Sequence, residues 1–405
     1  MHIQPILAAL RRNKSGAILI GLQIALTLAI VCNALFIIQQ RQSYLSRSTG
    51  IVEDQLFTFQ NKWIGDGESD LESLSAADLE TVRSTPGVID AYRSNSFPLR
   101  GGGWGTGVLL APNDAKEKAH TAVYMVDDHA LATLGVRLVA GRNFTTADLL
   151  DFHALQRLEA PVSIVSQSLA DKLFPDGNAL GKAIYLDQRS PPTTIVGIVQ
   201  ALQTPWVGNH WSDDFSQNSV LVPYRLMERT SNFVVRTRAG QVSQVMNTVR
   251  ERLYAANRLR VIDKLRSFAE VRAHSYRAAH GMAILMSIVC AALLMVTAAG
   301  IVGLASFWVG QRQRQIGIRR ALGATSTDIL RYFQLENFLI GGFGSLLGTL
   351  VAIGINLWLV TSFEMPRLPA YLVAAAALCV LALGQLAVLQ PALRASRVPP
   401  VTATR

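Results

Sequence analysis

Four stretches of this chain each run for at least 26 residues without a charged side chain, and they constrain its fold more than any other feature. The residues between Lys14 and Arg41 form the first; Gly281–Gln311, Asn337–Phe363 and Leu368–Leu393 are the others. A helix rises ~1.5 Å per residue, so about 20 residues cross a ~30 Å hydrocarbon core, and every run exceeds that. Core helices of soluble proteins seldom continue beyond about 15 residues without a charge. Only 16% of the 405 residues are charged and half are apolar, a balance typical of membrane proteins. The first run is longer than the ~7–15-residue core of a signal peptide, and no small-x-small cleavage site follows it, so it reads as an uncleaved anchor.

Charge sets the expected orientation. Residues 1–15, 309–334 and 391–405 hold eleven Lys and Arg against one acid, Asp328, and so carry the whole net charge of +10. An excess confined to short segments flanking apolar spans marks cytoplasmic loops. Topology thus accounts for the high pI, and no nucleic-acid partner is predicted. The expected order begins with a cytoplasmic amphipathic segment at 1–15, with Ile3, Ile6, Leu7 and Leu10 at helical spacing. Transmembrane helices follow at 16–40, 281–309, 335–360 and 371–390. Between them lie an external domain at 41–280, a cytoplasmic loop at 310–334 and an external turn at 361–370, and a cytoplasmic tail occupies 391–405. The predicted fold class is an α-helical membrane protein with four transmembrane helices plus a large mixed α/β extracytoplasmic domain between helices one and two. The flank 265–276 reads as helical, so that helices one and two would both rise from the bilayer as a stalk. The three cysteines lie inside the apolar runs, and the external domain is expected to need no disulfides.

Within 41–280, residues 162–166, 194–199, 219–222 and 233–237 read as buried strands. Residues 76–84 read as a helix stopped by Pro86-Gly87, and 241–256 as an amphipathic helix with Val242, Val245, Val249 and Leu253 on one face. The stretches 101–107 and 204–218 read as irregular. Trp206 and Trp211, set in a polar loop, are candidate external contacts, against the alternative of packing inside the domain. The segment Gly177 to Lys182 resembles a phosphate loop but is one residue short, and Ala183 stands where Mg²⁺ needs a hydroxyl. His210 with Asp213 and Asp214 has no second His or Cys beside it, so no metal site is predicted. No G-x-S-x-G or H-E-x-x-H pattern occurs, no catalytic residue is assigned, and the chain is not expected to be an enzyme.

The uncharged runs weigh against an ion-coupled carrier, which usually needs ionisable groups in the membrane. Small residues stand out instead. Gly300 and Gly303 in helix two, and Gly344-x-x-x-Gly348 in helix three, permit close helix packing within the chain or across a dimer. The loop QRQRQIGIRRALG (311–323) joins Arg312, Arg314, Arg319 and Arg320 to an ordered pattern, Ile316-Gly317-Ile318 and then Ala321-Leu322-Gly323. A solvated charge cluster has no need of that order, which marks a surface that docks onto something in the cytosol. Gly323 is expected to end one short helix, and Thr325 or Ser326 with Asp328 to start the next.

These residues, RQRQIGIRRALGATSTDI followed by FQLENFLIGGFGSLLGT, resemble the core of the MacB/FtsX-like ABC transporter permeases. The family pattern runs R-x-R-E-I-G-x-R-R-A-x-G-A, then an acidic residue, here Glu336, before a glycine-rich helix. The ending PALRASRVPPVTATR is similar to the family's ending. VAGRNFTTAD (139–148) and VSIVSQSLADKLFPDGNALGKAI (162–184) are similar to its periplasmic domain. Gln315 departs from the family's Glu.

The resemblance implies a stand-alone permease subunit, without a fused ATPase, in a bacterial inner membrane, with both termini cytoplasmic and the large domain periplasmic. Such a subunit converts ATP hydrolysis by a separate ATPase into movement of its periplasmic domain, to export or extrude a substrate. ATPase coupling is expected at Arg314, Gln315, Ile316, Gly317, Ile318, Arg319, Arg320, Gly323, Ser326 and Asp328. The implied partners are the ABC ATPase subunit, a second permease subunit (identical or paralogous), membrane lipid and, in some assemblies, a periplasmic adaptor with an outer-membrane channel. No cofactor is expected on this chain; ATP and Mg²⁺ belong to the ATPase. Alternatives within the family are a lipoprotein-extracting or cell-envelope-regulating permease. Outside it stands a membrane-anchored periplasmic receptor, which has no use for a patterned inner loop.

Overall fold

The computed structural model describes residues 14–64, 71–112, 114, 116–153, 156–207, 214–363 and 367–396. All but the last two residues of the amphipathic segment 1–15 lie outside these, as do His210, Trp211 and Asp213. The chain forms two compact units, one of Tyr44–Ala278 and one of the chain up to Ser43 with the chain from Ala279 on.

In chain order, α1 (Lys14–Leu45) leads to β1 (Leu56–Trp63), α2 (Leu71–Arg83), β2 (Val88–Ser94) and β3 (Trp104–Val108). Next come β4 (Ala119–Val126), α3 (Ala130–Leu134), β5 (Leu138–Gly141), β6 (Leu150–Phe152), β7 (Val162–Ser166) and α4 (Gln167–Leu173). After β8 (Ala183–Ile184) and β9 (Thr193–Val199) follow β10 (Ser219–Leu226), β11 (Thr230–Thr237), α5 (Val242–Ala256), β12 (Arg260–Ser267) and α6 (Phe268–Ser275). The chain continues with α7 (Arg277–Gln311), α8 (Gln313–Ala321), α9 (Ser326–Phe363) and α10 (Ala370–Ser396).

The α/β unit holds two sheets. The four-stranded one, ordered β12-β1-β11-β2, is antiparallel throughout. Val82 of α2 and Val245, Val249 and Leu253 of α5 cover one face, packing on Phe57, Phe59 and Phe233. Phe59 and Phe233 face each other in register and stack at 4.6 Å. The larger sheet follows the path β3-β4-β10-β7-β9-β5, with β6 on β10 and β8 on β9. Strand β10 reads as a continuous apolar run because both its faces are covered: Leu221 joins one core cluster, Val220 and Val222 another. It runs four residues past the 219–222 expected from sequence. Pro223 is accommodated because the antiparallel partner β7 pairs only with Val220 and Leu221.

Two sequence readings change. Residues 104–107 are strand rather than loop, paired antiparallel with β4; glycines give no alternating pattern to read, and a Cβ at Gly107 would sit on the Glu117 carboxylate. The flank 265–276 is not one helix. Strand β12 pairs with β1 as far as Ser267, where a capping box starts α6: Glu270 N–H donates to Ser267 Oγ and Ser267 N–H to Glu270 Oε2. Helix α6 then stops at Tyr276, and α7 begins at the next residue.

Arg272 of α6 ties this corner of the unit together. Its guanidinium donates to the carbonyls of Leu45 (2.7 Å) and Arg47 (2.9 Å) and to Glu53 Oε1 (2.7 Å), and lies over the Tyr276 ring. Each such charge-assisted bond is worth ~1.5–3 kcal/mol when its partners cannot rehydrate fully. Arg272→Ala should therefore speed amide hydrogen exchange across residues 45–53 by about tenfold or more, leaving α10 unchanged. Equal exchange in both proteins would mean that the bonds hold nothing.

One buried acid gives the unit a pH dependence. Burial raises the Asp127 carboxyl to about 6, against the pull of Arg83 at 3.0 Å and the His129 N–H. The same carboxyl titrates near ~3.9 in an unfolded chain. The folded protein thus binds this proton more tightly between pH ~4 and ~6, and the group's contribution to stability falls as pH rises through that window. Asp127→Asn should flatten that slope in thermal unfolding of the full chain; an unchanged slope would assign it to other groups.

In the other unit, four helices among the described residues are long and apolar enough to cross a membrane. All outrun their predicted ends, because an uncharged run marks the apolar part of a helix and not its termini. Helix α9 begins at Ser326, so the second helical piece expected after Gly323 does run on into helix three, and α10 continues through Pro391 to Ser396. The Gly344 and Gly348 pair packs α9 on α1: a Cβ would lie 2.7 Å from the Gly21 oxygen and 2.6 Å from that of Ala25. Gly300 faces Gln23 of α1, whose Nε2 donates to the Val296 carbonyl, and Thr27 bonds Thr297 at 2.7 Å. Among the described residues of this chain nothing lies within 4 Å of the Cβ position of Gly303, which leaves the expected packing across a dimer.

Candidate coupling site

Helix α7 ends one residue before α8 begins. Arg312 makes the break, with φ −100° and ψ 8°, yet its N–H still reaches the Trp308 carbonyl and its own carbonyl accepts from Ile316. Three contacts then fix α8 on α9. Ile316 is buried in the cluster that holds Ile329 and Phe333. Arg312 Nη1 donates to both oxygens of Glu336, at 3.0 and 2.9 Å, with the side chains 13% and 3% exposed. The Arg319 guanidinium lies 4.9 Å above the Tyr332 ring.

The exit from α8 needs a glycine. Gly323 has φ +99°, its N–H bonds the Arg320 carbonyl, and the next N–H, of Ala324, bonds that of Arg319. Thr325 then caps α9, with Asp328 N–H donating to Thr325 Oγ1 and Thr325 N–H to Asp328 Oδ2.

Outward, α8 presents Ile318, 47% exposed, and its C-cap residue Leu322, four residues on, is 83% exposed. Arg314, Gln315 and Arg319 are also exposed on it. Between α8 and α9 lies a cavity of about 170 Å³, lined by Arg312, Gln315, Arg319 and Tyr332 among others. An apolar pair set among arginines, on a helix that is itself clamped from behind, can receive an apolar groove bordered by acidic groups.

The residues singled out from sequence therefore divide. Arg314, Gln315, Ile318 and Arg319 are on the surface, and Arg320 is half-exposed; Ile316 and Gly317 are buried. Gly323, Ser326 and Asp328 have structural partners: the turn, the Ser396 carbonyl and the Thr325 cap. Sequence reasoning missed the Arg312–Glu336 pair. The signal was an acid at the spacing of a buried stripe, three residues after Phe333 and four before Ile340. Trp206 is half-buried and edge-on to Phe215 at 6.0 Å, packing within the domain. The segment resembling a phosphate loop is a turn with left-handed Gly177 and Gly181, leading into β8.

Residues 17–252 match the MacB-like periplasmic core domain, and residues 287–400 the FtsX-like permease C-terminal domain. The uncharacterized ABC transporter permease YvrN of Bacillus subtilis (strain 168) is 27% identical over 71% of this chain and 70% of its own length. The macrolide export ATP-binding/permease protein MacB of Neisseria meningitidis serogroup A is 24% identical over the whole chain, which spans 60% of that protein. The crystal structure of the periplasmic region of MacB from Actinobacillus actinomycetemcomitans aligns with 57% of this chain and 96% of its own, at a TM-score of 0.34 and 17% identity. Between them the two domain matches take in both units of the chain: it belongs to the MacB/FtsX-like family of ABC transporter permeases.

Proposed function

We propose that α8 is the surface on which a separate ABC ATPase docks, and that ATP hydrolysis there drives movement of the α/β unit to export a substrate. The family implies an ATPase partner, and some relatives carry ATP-binding and permease parts in one protein. In this reading ATP and Mg²⁺ are held by the ATPase. A second permease, identical or paralogous, completes the membrane part. A periplasmic adaptor and an outer-membrane channel belong to its widest form. The observation that carries the proposal is the division of α8, anchored inward by Ile316 and Arg312 and displaying Ile318 and Leu322 outward. Helices without a hydrophilic path suit a subunit that transmits displacement rather than one that forms a pore.

The membrane is a bacterial inner membrane, with the 311–325 segment and both termini on the cytoplasmic side, as the charge excess indicates. Cysteines placed at Leu150 and Arg250 should then react with an impermeant thiol reagent in intact spheroplasts, and a cysteine at Gln313 only after lysis. Labelling at 313 from outside would reverse the orientation and remove the docking surface from the cytosol.

Ile318→Asp tests the docking itself. Ile318 is exposed, so the fold should be unaffected, while a carboxylate in the apolar contact should lower stimulation of the ATPase about tenfold or more. Gly317 is unsuitable for this purpose because it is buried. Full stimulation with aspartate at 318 would reduce α8 to a charged segment that sets topology.

A further inference from the structure

A small pocket of about 40 Å³ lies in the α/β unit where β1 and β12 meet the 97–100 turn and the end of α6. Its titratable lining is all basic: Arg100, Lys264, Arg266 and His274, with no Asp or Glu among the lining residues. The backbone around it is unusual as well. Leu99 and Lys264, at φ +65° and +52°, are the two non-glycine residues with left-handed φ among the described residues, and both line this pocket. Such strain costs free energy and collects at functional sites. Lys264 stands in a bulge of β12: Thr58 pairs with Arg266 but Gln60 with Asp263, so Lys264 and Leu265 together oppose Phe59. Glycine is the usual residue at a left-handed bulge position, and bulges re-aim side chains.

No carboxylate holds these basic groups. Arg100 donates through Nε to Asn232 Oδ1 and through Nη1 to the Gly102 carbonyl, both neutral, which leaves Nη2 for a further acceptor. Burial lowers its pKa, and no neighbouring carboxylate raises it back. Among the described residues, the side chains of Lys264, Arg266 and His274 make no hydrogen bond and no ion pair. The acids nearest in sequence are engaged elsewhere. Asp263 Oδ1 accepts the Lys264 N–H, Glu270 closes the α6 capping box, and Glu53 pairs with Arg272.

We propose that this pocket binds a phosphate group, carried by an anionic phospholipid or by a free phosphate ester. Donors converging from four side chains suit several oxygens on one centre, and an arginine can offer two parallel N–H bonds to them. The volume takes the phosphate and leaves the rest of the ligand outside. Chain connectivity favours the lipid. Ser275, at the rim, lies six residues before Gly281, where the uncharged run of α7 begins. At ~3.6 Å per residue at most, the rim stays within about 20 Å of that point, and so within reach of the headgroup layer. The inference rests on α7 spanning the membrane, and not on α8 or on an ATPase.

The full chain is placed in nanodiscs of phosphatidylcholine alone, or of phosphatidylcholine mixed with phosphatidylglycerol, and amide hydrogen exchange is compared between the two lipids for each variant. Phosphatidylglycerol should slow exchange across 97–102 and 262–275 about tenfold, the effect of a ligand at roughly ten times its Kd, and leave β9 unchanged. Arg266→Gln and Lys264→Gly should each lose most of that protection. Neither side chain has a partner in the fold, and glycine suits the left-handed backbone at 264. Arg250→Gln, at an exposed arginine outside the pocket, should keep it. Inorganic phosphate and glycerol 3-phosphate, titrated into the phosphatidylcholine nanodiscs, separate the sources. Protection by either assigns the pocket to a soluble ester, and protection by phosphatidylglycerol alone assigns it to lipid. The proposal is overturned if neither source protects these segments. It is also overturned if both pocket variants are protected as wild type is, since that is nonspecific attraction of a basic surface to an anionic membrane.

Discussion

Arg312→Ala is expected to destabilise the folded protein by about 3–5 kcal/mol, because it leaves the Glu336 carboxylate buried without its partner. The cost comes from desolvation and not from the strength of the pair. Replacing both residues by methionine should therefore recover most of the loss, since buried ion pairs are often replaced by apolar groups at little cost. Thermal unfolding of the purified chain in detergent reads both variants. The double variant separates two roles. If the pair only packs α8, the double variant stimulates the ATPase normally. If it sets the angle at which α8 leaves α7, stimulation stays low although stability returns. Equal stability of wild type and Arg312→Ala would mean that the pair is hydrated and holds nothing.

Gly348→Val should be nearly as damaging. Its Cβ would lie 2.6 Å from the Ala25 carbonyl oxygen and 2.9 Å from the Ala25 Cα, and backbone cannot give way as a side-chain tip can. Helix α9 would have to move off α1, costing about 1–3 kcal/mol or more. Gly354→Val is the control, since nothing among the described residues lies within 4 Å of a Cβ placed there, and its effect should stay within about 0.5 kcal/mol. Accumulation in membranes and thermal unfolding measure both. If the two variants behave alike, the close approach of α1 and α9 is wrong.

The spans were legible because an uncharged run of that length has one physical meaning, but their ends were not. Arg41 and Asp328 each lie on helices that continue through the charge. Strands β7, β9, β10 and β11 were legible from apolar runs, whereas β3 was hidden by glycines that carry no pattern and gain their order from β4. At the candidate site, the basic and apolar order of 311–323 identified a short helix and its Gly323 exit. It could not divide that helix into faces. Ile316 and Ile318 look alike in sequence, and only the packing of Ile329 and Phe333 makes one an anchor and leaves the other exposed. Arg312 and Glu336 are 24 residues apart, and each reads alone as a boundary charge. Their pairing depends on the turn at Arg312, which no local pattern announces.

In the proposed function α8 touches the ATPase through its outward face. A photo-crosslinking amino acid placed at Leu322, and separately at Ile318, in membranes containing the whole assembly reads that contact, with Gly303, where nothing among the described residues lies within 4 Å of an added Cβ, as the silent control. A crosslinked product containing an ATPase subunit is expected from 318 and 322, with none from 303 and a change in yield when ATP is added. Crosslinks from 318 and 322 to no ATPase, in membranes where an ATPase still co-purifies with the chain, would contradict it.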